Sequence, residues 1–439
     1  MNKKKIWLVI IFSFFVPVFF WKMNHNSLTS LDSGALSLAF GRLAGLSAAV
    51  LLFWQIVFIS RAKFIEGKFG LDRLTKYHHS IGFVILFFLI LHVTLITFGL
   101  SRDTDSTLME QFQDFWKSWE GLQGAMIGFV LFATATLFSI NALRAKFSYE
   151  RWHLSHLVAY FGIALSFSHQ VENGKDFVQQ SGLSIYWYVF FGTALFFLLT
   201  FRFLRPFYCF FKHKFRVDRI TRETIDVTSV YLTGRDLKNF SFKTGQFAIV
   251  RFFAPGFRWE SHPFSLSLPK NNEFLRLTVR QIGDFTKKIP ELPIGTKILV
   301  DGPHGIFTSD RVIGKKILLI AGGIGITPIR PLFEELINMD KDTILLYSNR
   351  NQENIPLRSE LDSLAQYKRA KVIYVITNDN KWTGEKGHLN QEKILLLVPD
   401  IYEREIFQCG PPGMMIGLRK AFNAIGLSED RIYDETFTF

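Results

Sequence analysis

The sequence predicts a two-part protein, in which a membrane bundle of six α-helices precedes a soluble module with an antiparallel β-barrel and an α/β domain. Three observations predict this fold class. Apolar residues, 48% of the 439 in the chain, crowd into its first half in runs long enough to cross a bilayer. Short β-branched and aromatic runs begin at His213. After Val312, strand patterns alternate with helical patterns, which is typical of a parallel sheet. The expected domains are residues 1–212, 213–311 and 312–439.

Six apolar runs are predicted to span the membrane. They are Met1 to Trp21, Leu36 to Ser60, Tyr77 to Leu100, Leu122 to Leu143, Trp152 to Val171 and Leu183 to Leu204. The first begins with a KKK segment like a secretory signal, but no small-residue cleavage site follows it, so we expect a retained span. Lys and Arg cluster before the first span and after the second, fourth and sixth. By the positive-inside rule, both termini are expected on the cytoplasmic side.

Composition excludes two other interpretations of the chain. The formal charge of +13 does not indicate nucleic-acid binding, because the Lys and Arg lie mostly beside apolar spans. The two cysteines, Cys209 and Cys409, are too few and too far apart for a disulfide scaffold or a thiolate-bound cluster. Any iron must therefore be held by histidine.

Two of the predicted spans carry a histidine near each end. His78 and His92 lie fourteen residues apart in the run YHHSIGFVILFFLILH. That spacing rises roughly 21 Å along a helix and returns to within about 40° of the same face. His156 and His169, thirteen residues apart, bracket a similar run. Ionisable groups inside spans usually mark function, so the four histidines predict two stacked haems of b type, each held by one imidazole from each span.

The predicted topology pairs these histidines by depth. The third and fifth spans run in the same direction, which sets His78 with His156 near the cytoplasm and His92 with His169 near the outside. Iron with two imidazole ligands has no open position, so such a haem passes electrons rather than binding substrate.

Several details of the haem prediction stay open at this stage. His79 and His153 compete with their neighbours for the ligand role. A thirteen-residue spacing turns an ideal helix by about 220°, so the fifth span must tilt, kink or bulge, and Gly162 is a suitable place for it. Arg42, inside the second span, is either a snorkelling or pore-side charge or a partner for a haem propionate.

Five motifs follow in the soluble half. HPFSLS (262–267), VRQIGDFTKKI (279–289) and DGPHG (301–305) lie in or beside the predicted barrel strands. The segment GKKILLIAGGIGITP reads as a strand, a glycine-rich turn and a helix start, an arrangement that admits a pyrophosphate. A later strand ends in CGPPGM, and the sequence closes on DETFTF.

In this order, the motifs resemble those of a known family. The second half is similar to the ferredoxin-NADP reductase type of flavoprotein module. The whole chain resembles the NADPH oxidase and ferric reductase transmembrane flavocytochromes b, most closely the bacterial NADPH oxidases of that family. The four histidines match the two haem pairs of that family.

The resemblance implies the cofactor contacts. For FAD they are His262, Pro263, Phe264, Ser265, Arg280, Gly283 and Thr286. For the nicotinamide dinucleotide they are Gly322, Gly323, Gly325, Thr327, Pro328, Cys409, Gly410 and Pro411. A terminal aromatic that stacks on the flavin ring would be Phe439. The implied catalytic positions are Cys409, Phe439 and Ser265.

The implied activity is electron transfer from cytoplasmic NADPH through FAD and two haems b to oxygen outside, which yields superoxide. Arg350, with Arg358, is expected to bind the 2′-phosphate of NADPH, because a guanidinium suits phosphate and no acidic residue that would favour NADH stands there. Two alternatives are ferric-chelate reduction and delivery to an extracytoplasmic redox protein. The acidic Asp103 to Glu120 loop is either a docking site for that protein or a solvated connection, and the second is favoured. We expect a multi-pass protein of a bacterial cell membrane, without calcium control.

Overall fold

The computed structural model describes residues 3–25, 28–117, 122–140, 149–172, 174, 181–271 and 273–435. Its contacts divide the chain into two compact units, Met1–Leu204 and Arg205–Phe439. The first unit is helical in its described parts. The second contains all the described strands.

The first unit is built from helices joined by short connections. They are α1 (Lys3–Asn24), α2 (Ser33–Ile59), α3 (Lys63–Phe69), α4 (Leu71–Asp103), α5 (Leu108–Lys117), α6 (Leu122–Phe138), α7 (Tyr149–Leu165), α8 (Phe167–Glu172) and α9 (Ser181–Phe197). A π-helical turn, Leu198–Leu204, and α10 (Arg205–His213) continue directly from α9.

Among the described residues, four helices are long and apolar enough to cross a membrane. They are Lys3–Asn24, Ser33–Ile59, Leu71–Asp103 and Ser181–His213. The count rises to five if α5 and α6, which meet at a bend of 111°, form one span. The first unit is therefore a helical, transmembrane-like region, with its predicted first, second, third and sixth spans among these four helices.

Glycines allow α2 and α4 to pack closely. A Cβ atom at Gly41 would stand 3.0 Å from the Ile96 side chain, and one at Gly99 would stand 2.6 Å from Leu38. Small residues at such positions let helix backbones approach each other in an apolar environment, where dispersion contacts replace the hydrophobic drive. The start of α2 is fixed by Asp32, whose carboxylate accepts a hydrogen bond from the Ala35 N–H at 2.7 Å.

The helix that carries His156 and His169 is interrupted between them. The α7 helix ends at Leu165 and α8 begins at Phe167, with Ser166 in a turn. The Ser166 hydroxyl donates to Gly162 O at 2.7 Å. A Cβ atom at Gly162 would stand 2.8 Å from Gly128 O, so the glycine lets α7 approach α6. A local break of this kind is what the thirteen-residue spacing requires.

The second unit begins with a barrel of two three-stranded antiparallel sheets. Its strands are β1 (Arg216–Arg222), β2 (Val227–Thr233), β3 (Phe247–Phe252), β4 (His262–Ser265), β5 (Leu275–Arg280) and β6 (Ile298–His304). One sheet has the order β1-β2-β5 and the other β4-β3-β6, and a bridge between Leu266 and Leu277 joins them. Alternate residues such as Leu275, Leu277 and Val279 fill the apolar interior.

The helix before the barrel belongs to the second unit by its contacts. Arg205, at the start of α10, donates from Nη2 to Gly302 O on β6 at 2.9 Å. The ring of Phe210 lies 5.4 Å from that of Phe253, beside the end of β3. The contacts therefore divide the chain between Leu204 and Arg205, and the predicted domain boundary at residue 212 stays a prediction.

A parallel six-stranded sheet follows the barrel. Its strands are β7 (Lys316–Gly322), β8 (Asp342–Asn349), β9 (Ala370–Ile376), β10 (Glu385–Lys386), β11 (Glu405–Cys409) and β12 (Ile432–Glu435), in the order β10-β9-β8-β7-β11-β12. The associated helices include α11 (Asp284–Lys287) at the barrel and α12 (Ile326–Asn338), α13 (Arg358–Leu364), α14 (Gln391–Leu397) and α15 (Pro412–Ala424) around the sheet. Apolar residues cover both faces of this sheet.

Arg404 joins three strands at the amino edge of the sheet. Its Nη1 donates to Ile317 O and to Asp342 O, both at 3.1 Å. Its Nε and Nη2 donate to the two carboxylate oxygens of Asp400 at 2.8 and 3.0 Å. The side chain is only 4% exposed, so its removal leaves buried acceptors without donors.

We expect Arg404→Leu to lower the melting temperature of the second unit by about 5–10 °C, because loss of one partner from a buried ionic cluster costs several kcal/mol. The matched control is Arg369→Leu, whose partner Asp340 is also bound at 2.9 Å but in an exposed pair. The control is expected to shift melting by less than about 3 °C. Thermal unfolding of the full chain in detergent measures both, and equal shifts would contradict this prediction.

Candidate cofactor sites

The fold brings together two of the predicted ligand histidines, His78 on α4 and His156 on α7. Their ring centroids lie 5.8 Å apart, and the ring planes meet at 66°. A metal bonded to one nitrogen of each ring, at about 2 Å per bond, would separate two imidazole centres by about 6 Å. The pair therefore has the separation of two ligands on opposite sides of one metal ion.

The Nδ1 atoms of this inner pair are engaged with neighbouring helices. His78 Nδ1 lies 3.4 Å from Gln55 O, and Gln55 Nε2 donates to His78 O at 2.8 Å. His156 Nδ1 lies 3.3 Å from Ser139 Oγ, which itself donates to Ala135 O at 2.8 Å. A carbonyl oxygen only accepts, so the contact of His78 requires Nδ1 to donate. For His156 the direction depends on which neighbour Ser139 donates to, and donation to Ala135 O leaves Nδ1 as the donor. A ring that donates from Nδ1 offers the lone pair of Nε2 to a metal.

His92, the second histidine of α4, is held in the same way. Its Nδ1 donates to Gly41 O on α2 at 2.8 Å. A Cβ atom at Gly45 would stand 2.7 Å from that Nδ1, so the imidazole fits only because α2 carries glycine there. His169 lies on α8, so the two histidines of the predicted outer pair also come from α4 and the interrupted helix.

The neighbouring histidines have other surroundings. The His79 ring packs against Phe83, with centroids 5.2 Å apart, and the His153 ring lies 6.4 Å from that of Trp152. Trp152 in turn stacks on His156 at 5.4 Å. Within the described ranges, no group of three or more His, Cys, Asp or Glu side chains forms a metal site. Paired imidazoles fit an iron whose other four ligands come from a porphyrin.

In the barrel, the HPFS motif forms β4. Ser265 is 5% exposed, and its hydroxyl oxygen is buried with no hydrogen-bond partner among the described residues. A buried hydroxyl without a partner is costly, which fits a polar cofactor atom at this position. His262 approaches Glu260 Oε2 to 2.8 Å through Nε2, and its ring lies 4.1 Å from that of Phe285. Pro263 and Phe264 lie between His262 and Ser265 in this strand.

Arg280 ends β5 beside the glycine turn of the α/β domain. Its Nε donates to Asp226 Oδ2 at 2.7 Å, and its Nη1 lies 3.8 Å from where a Cβ atom at Gly323 would stand. The Thr286 hydroxyl closes the following turn, because it accepts the N–H groups of Ile282 and Gly283, both at 3.0 Å.

The glycine turn and the CGP segment meet where the order of the parallel strands reverses, between β7 and β11. Ligands of open α/β sheets bind at such a switch point, beyond the carboxyl ends of the strands. A Cβ atom at Gly325 would overlap Cys409 O, and one at Gly410 would stand 3.2 Å from Gly322 Cα. Only glycines permit this close approach, and together the two turns form a backbone-lined cradle that fits a dinucleotide.

Side chains beneath this cradle fix its shape. Gly323 has φ +52°, a conformation that favours glycine, and its carbonyl accepts the Tyr347 hydroxyl at 3.0 Å. Burial raises the pKa of Tyr347, so the hydroxyl stays protonated and keeps donating. Thr327 Oγ1 donates to Ile324 O at 3.0 Å, and Pro328 stands in the first turn of α12.

Cys409 lies at the end of β11 with no exposed surface. Burial raises the pKa of its thiol well above the ordinary value, and the carboxylates of Glu435 and Asp434 raise it further. The side chain belongs to the apolar cluster beneath the cradle, and Pro411 follows as the N-cap of α15. Its predicted catalytic role, like that of Ser265, stays a prediction. Phe439 lies outside the described residues.

Two arginines stand near the carboxyl ends of β8 and β9. Arg350 directly follows β8 and is exposed, with no ion-pair partner among the residues that the structure describes. Arg358 lies over the rings of Tyr374 and Trp382, at 5.5 and 5.8 Å from their centroids, and pairs with Asp362 at 3.7 Å. The exposed guanidinium of Arg350 is thus the more available of the two for an anionic ligand.

Three protein-family models match successive parts of the chain. Residues 44–167 match the ferric reductase like transmembrane component, residues 213–307 an FAD-binding domain, and residues 319–420 an oxidoreductase NAD-binding domain. The first match includes His78, His92 and His156 and ends just before His169.

Relatives of known function match the second half. The glycine betaine monooxygenase reductase subunit of Pseudomonas aeruginosa is 27% identical over 52% of this chain and 64% of its own length. The flavohemoprotein of Candida norvegensis is 31% identical over 49% of this chain and 55% of its own. Among solved structures, the cytochrome b5 reductase domain of Ulva prolifera nitrate reductase is 21% identical, covers 51% of this chain and 97% of its own, and has a TM-score of 0.46. The chain thus spans somewhat less than two thirds of the first two relatives.

Sequence reasoning missed the groups that orient the predicted ligands. Gly41 and Gly45 receive the His92 ring, and their four-residue spacing is a recognisable sign of close helix packing. Gln55 and Ser139, which engage the inner pair, carry no such sign. In the sequence, Tyr347 is an ordinary residue of a predicted strand, although its hydroxyl donates a hydrogen bond to the glycine turn.

The two cysteines give an internal comparison of thiol reactivity. We expect iodoacetamide at pH 8 to label Cys209, which is partly exposed on α10, at least about ten times faster than Cys409, which is buried. The thiolate is the reactive form, and burial suppresses it at Cys409. Mass spectrometry of the folded chain in detergent gives the ratio. As a control, both cysteines should label at equal rates once the chain is unfolded in guanidinium. Rapid labelling of Cys409 in the folded chain would contradict the prediction.

Proposed function

We propose that this chain moves electrons from NADPH across a membrane to molecular oxygen. It joins a ferric reductase-like transmembrane component to FAD-binding and NAD-binding domains, which is the architecture of the NADPH oxidase and ferric reductase flavocytochromes. The product is superoxide. The two relatives named above match about half of the chain, and the support for the membrane-crossing step comes from the match of residues 44–167 to a transmembrane component.

The pairing of His78 with His156 is the observation that carries this proposal. Their rings are 5.8 Å apart, on two different helices, and each presents Nε2 for a metal because its Nδ1 is engaged. His92 is oriented in the same way by Gly41 O. Two such pairs at different depths would hold two haems b and provide a path through the apolar part of the protein.

Six spans with both termini in the cytoplasm remain our proposal for the topology. Four described helices satisfy the length and hydropathy requirement alone. The α6 helix, and the consecutive helices α7 and α8, supply the other two, with α7 and α8 together extending from Tyr149 to Glu172. The basic segments before the first span and after the second, fourth and sixth favour a cytoplasmic soluble module, in a bacterial cell membrane by resemblance.

In the soluble module, each group of residues has a separable task. When bound, FAD accepts a hydride and releases single electrons, while haem carries electrons one at a time. Ser265 offers its buried hydroxyl to the flavin, and Arg280 brings positive charge to the junction of barrel and glycine turn. The Gly322 and Gly325 backbone would receive the dinucleotide, and Cys409 lies fully buried beside it.

The outer acceptor decides between oxidase and reductase. Oxygen is our proposal, by resemblance. Ferric chelate is the second candidate, favoured by the match of residues 44–167 to a ferric reductase-like component. A third outcome is delivery to a separate redox protein through the segment that includes α5.

The deciding experiment measures NADPH-driven superoxide production by the purified full chain in detergent with FAD, together with its reduced-minus-oxidised spectrum. We expect a six-coordinate b-type haem spectrum and a signal that superoxide dismutase abolishes. A haem that reduces fully but reoxidises only with ferric chelate would replace the oxidase by the reductase. Absence of haem would remove the transmembrane mechanism altogether.

We expect His78→Ala and His156→Ala each to reduce the haem content from two per chain to one, because each removes an axial ligand of the same haem. His92→Ala is expected to remove the other haem. The pyridine haemochrome assay, normalised to protein, gives the content.

The matched control for these variants is His79→Ala, which alters an adjacent imidazole that packs on Phe83. This variant should retain two haems. Loss of a haem in His79→Ala together with full content in His78→Ala would reverse the assignment.

We expect Arg350→Ala to raise KM for NADPH by about tenfold or more while KM for NADH changes less than about twofold, because a guanidinium–phosphate hydrogen bond is charge-assisted. Steady-state oxidation of both nucleotides measures the effect. Arg369→Ala is the control, since Arg369 is an exposed arginine at the opposite, amino end of the strands. Parallel increases for both nucleotides would argue against 2′-phosphate recognition by Arg350.

A further inference from the structure

A buried ionic cluster joins the barrel to the α/β domain. Arg276, on β5 of the barrel, has a side chain that is 1% exposed. Its guanidinium forms a forked pair with Glu360, on α13 of the α/β domain, in which Nη1 contacts Oε1 and Nη2 contacts Oε2 at 3.1 Å. The same guanidinium donates to Ser267 O at 2.7 Å. This is the geometry in which Arg and carboxylate bind most specifically.

The cluster continues to the helix that starts at the nucleotide cradle. Arg330 Nε, on α12, pairs with Glu360 Oε2 at 2.6 Å, and Arg330 Nη1 pairs with Glu334 at 2.5 Å. Glu360 therefore receives one arginine from each domain. A second contact between the barrel and α12 joins the Thr244 hydroxyl to Glu335.

The strand β5 contacts the α/β domain at two points. Arg276 and Arg280 are four residues apart, so their side chains project from the same face of the strand. Arg280 stands beside Gly323, at the turn of the cradle, and Arg276 reaches Glu360. The intervening Thr278 bonds to hydroxyl groups of the barrel itself. This face of the strand therefore meets the domain that would hold the nucleotide at its two arginines.

The charges of the cluster are mutually stabilised. Burial by itself raises the pKa of Glu360, but Arg276 and Arg330 outweigh it and hold the pKa below its usual value. Burial likewise disfavours the charged form of Arg276, but the hydrogen bond and charge of Glu360 outweigh burial, so the pKa of Arg276 is raised. Both groups are ionised at neutral pH, and loss of Glu360 would leave the buried Arg276 guanidinium without its carboxylate partner.

We propose that Glu360 is a positioning residue for hydride transfer, which fixes the barrel against the α/β domain so that the nicotinamide meets the flavin. This inference rests on the proposed function, because it requires that the barrel hold FAD and that the cradle hold NADPH. The two reactants then sit on different domains, and their separation depends on how the domains are joined. Hydride transfer needs contact near 3–3.5 Å, and a misplacement of 1 Å can cost about 100-fold in rate.

The test is single-turnover reduction of bound FAD by NADPH in the full-length protein in detergent, followed by flavin absorbance. We expect Glu360→Gln to slow flavin reduction at saturating NADPH by about 10–100-fold, with KM for NADPH within about threefold of wild type. The control Glu392→Gln removes the same charge from an exposed position on α14 and should leave both values unchanged.

Two further measurements separate positioning from general damage. Dithionite reduces the flavin without nucleotide, so the rate of flavin reduction by dithionite should be equal in Glu360→Gln and wild type. In the double variant with Arg276→Gln, the two losses should not multiply, because both act on one contact. If Glu360→Gln does not retain FAD, Arg276→Lys serves instead, since it keeps the charge but loses the forked pair.

The outcomes are distinguishable. Wild-type flavin reduction by the variant, or a change confined to KM, would overturn the positioning role while leaving the proposed function intact. Failure of NADPH to reduce the flavin of the wild-type protein would overturn the proposed function, and the inference with it.

Discussion

The close contact between α2 and α4 is the constraint on which the geometry of the predicted ligand histidines depends. A buried imidazole that is to bind a metal must satisfy its second nitrogen without water, and the available acceptor is a backbone carbonyl on the neighbouring helix. Gly41 and Gly45 bring α2 near enough for His92 to reach Gly41 O. The same pair of helices aligns Gln55 with His78. One glycine-lined interface therefore orients a ligand at each depth.

Glycine serves a similar purpose in the α/β domain, with a different partner. The Gly322 to Gly325 turn and the Cys409 to Pro411 turn come from neighbouring strands on the two sides of the switch point, and each would be displaced by a Cβ atom on the other. The close approach leaves backbone rather than side chains at the mouth of the cleft, which is suited to a phosphate-bearing ligand. Both halves of the chain thus use glycine to let a polar group or ligand approach the backbone.

Electron transfer in this architecture requires that separately folded parts keep a fixed spacing. In the barrel, β5 provides an apolar face to the interior and a polar, buried face to the α/β domain. The arginines on that polar face pair with acidic groups rather than with water. Buried ion pairs contribute little net stability, but they are directional. Their presence between two cofactor-holding domains is best understood as a means of setting their relative position.

The sequence by itself determined the order of the parts. Hydropathy located the helical region, and motif order identified the barrel and the glycine-turn domain, because these signals are local and periodic. Histidine spacing predicted which side chains form pairs and favoured His78, yet it left His79 as a competitor. The tertiary structure distinguishes their surroundings, since His78 faces His156 while His79 packs on Phe83. The break at Ser166, the Tyr347 contact and the Arg276–Glu360 pair were likewise decided by packing, because each joins residues from segments that are distant in the chain or depends on a neighbouring helix.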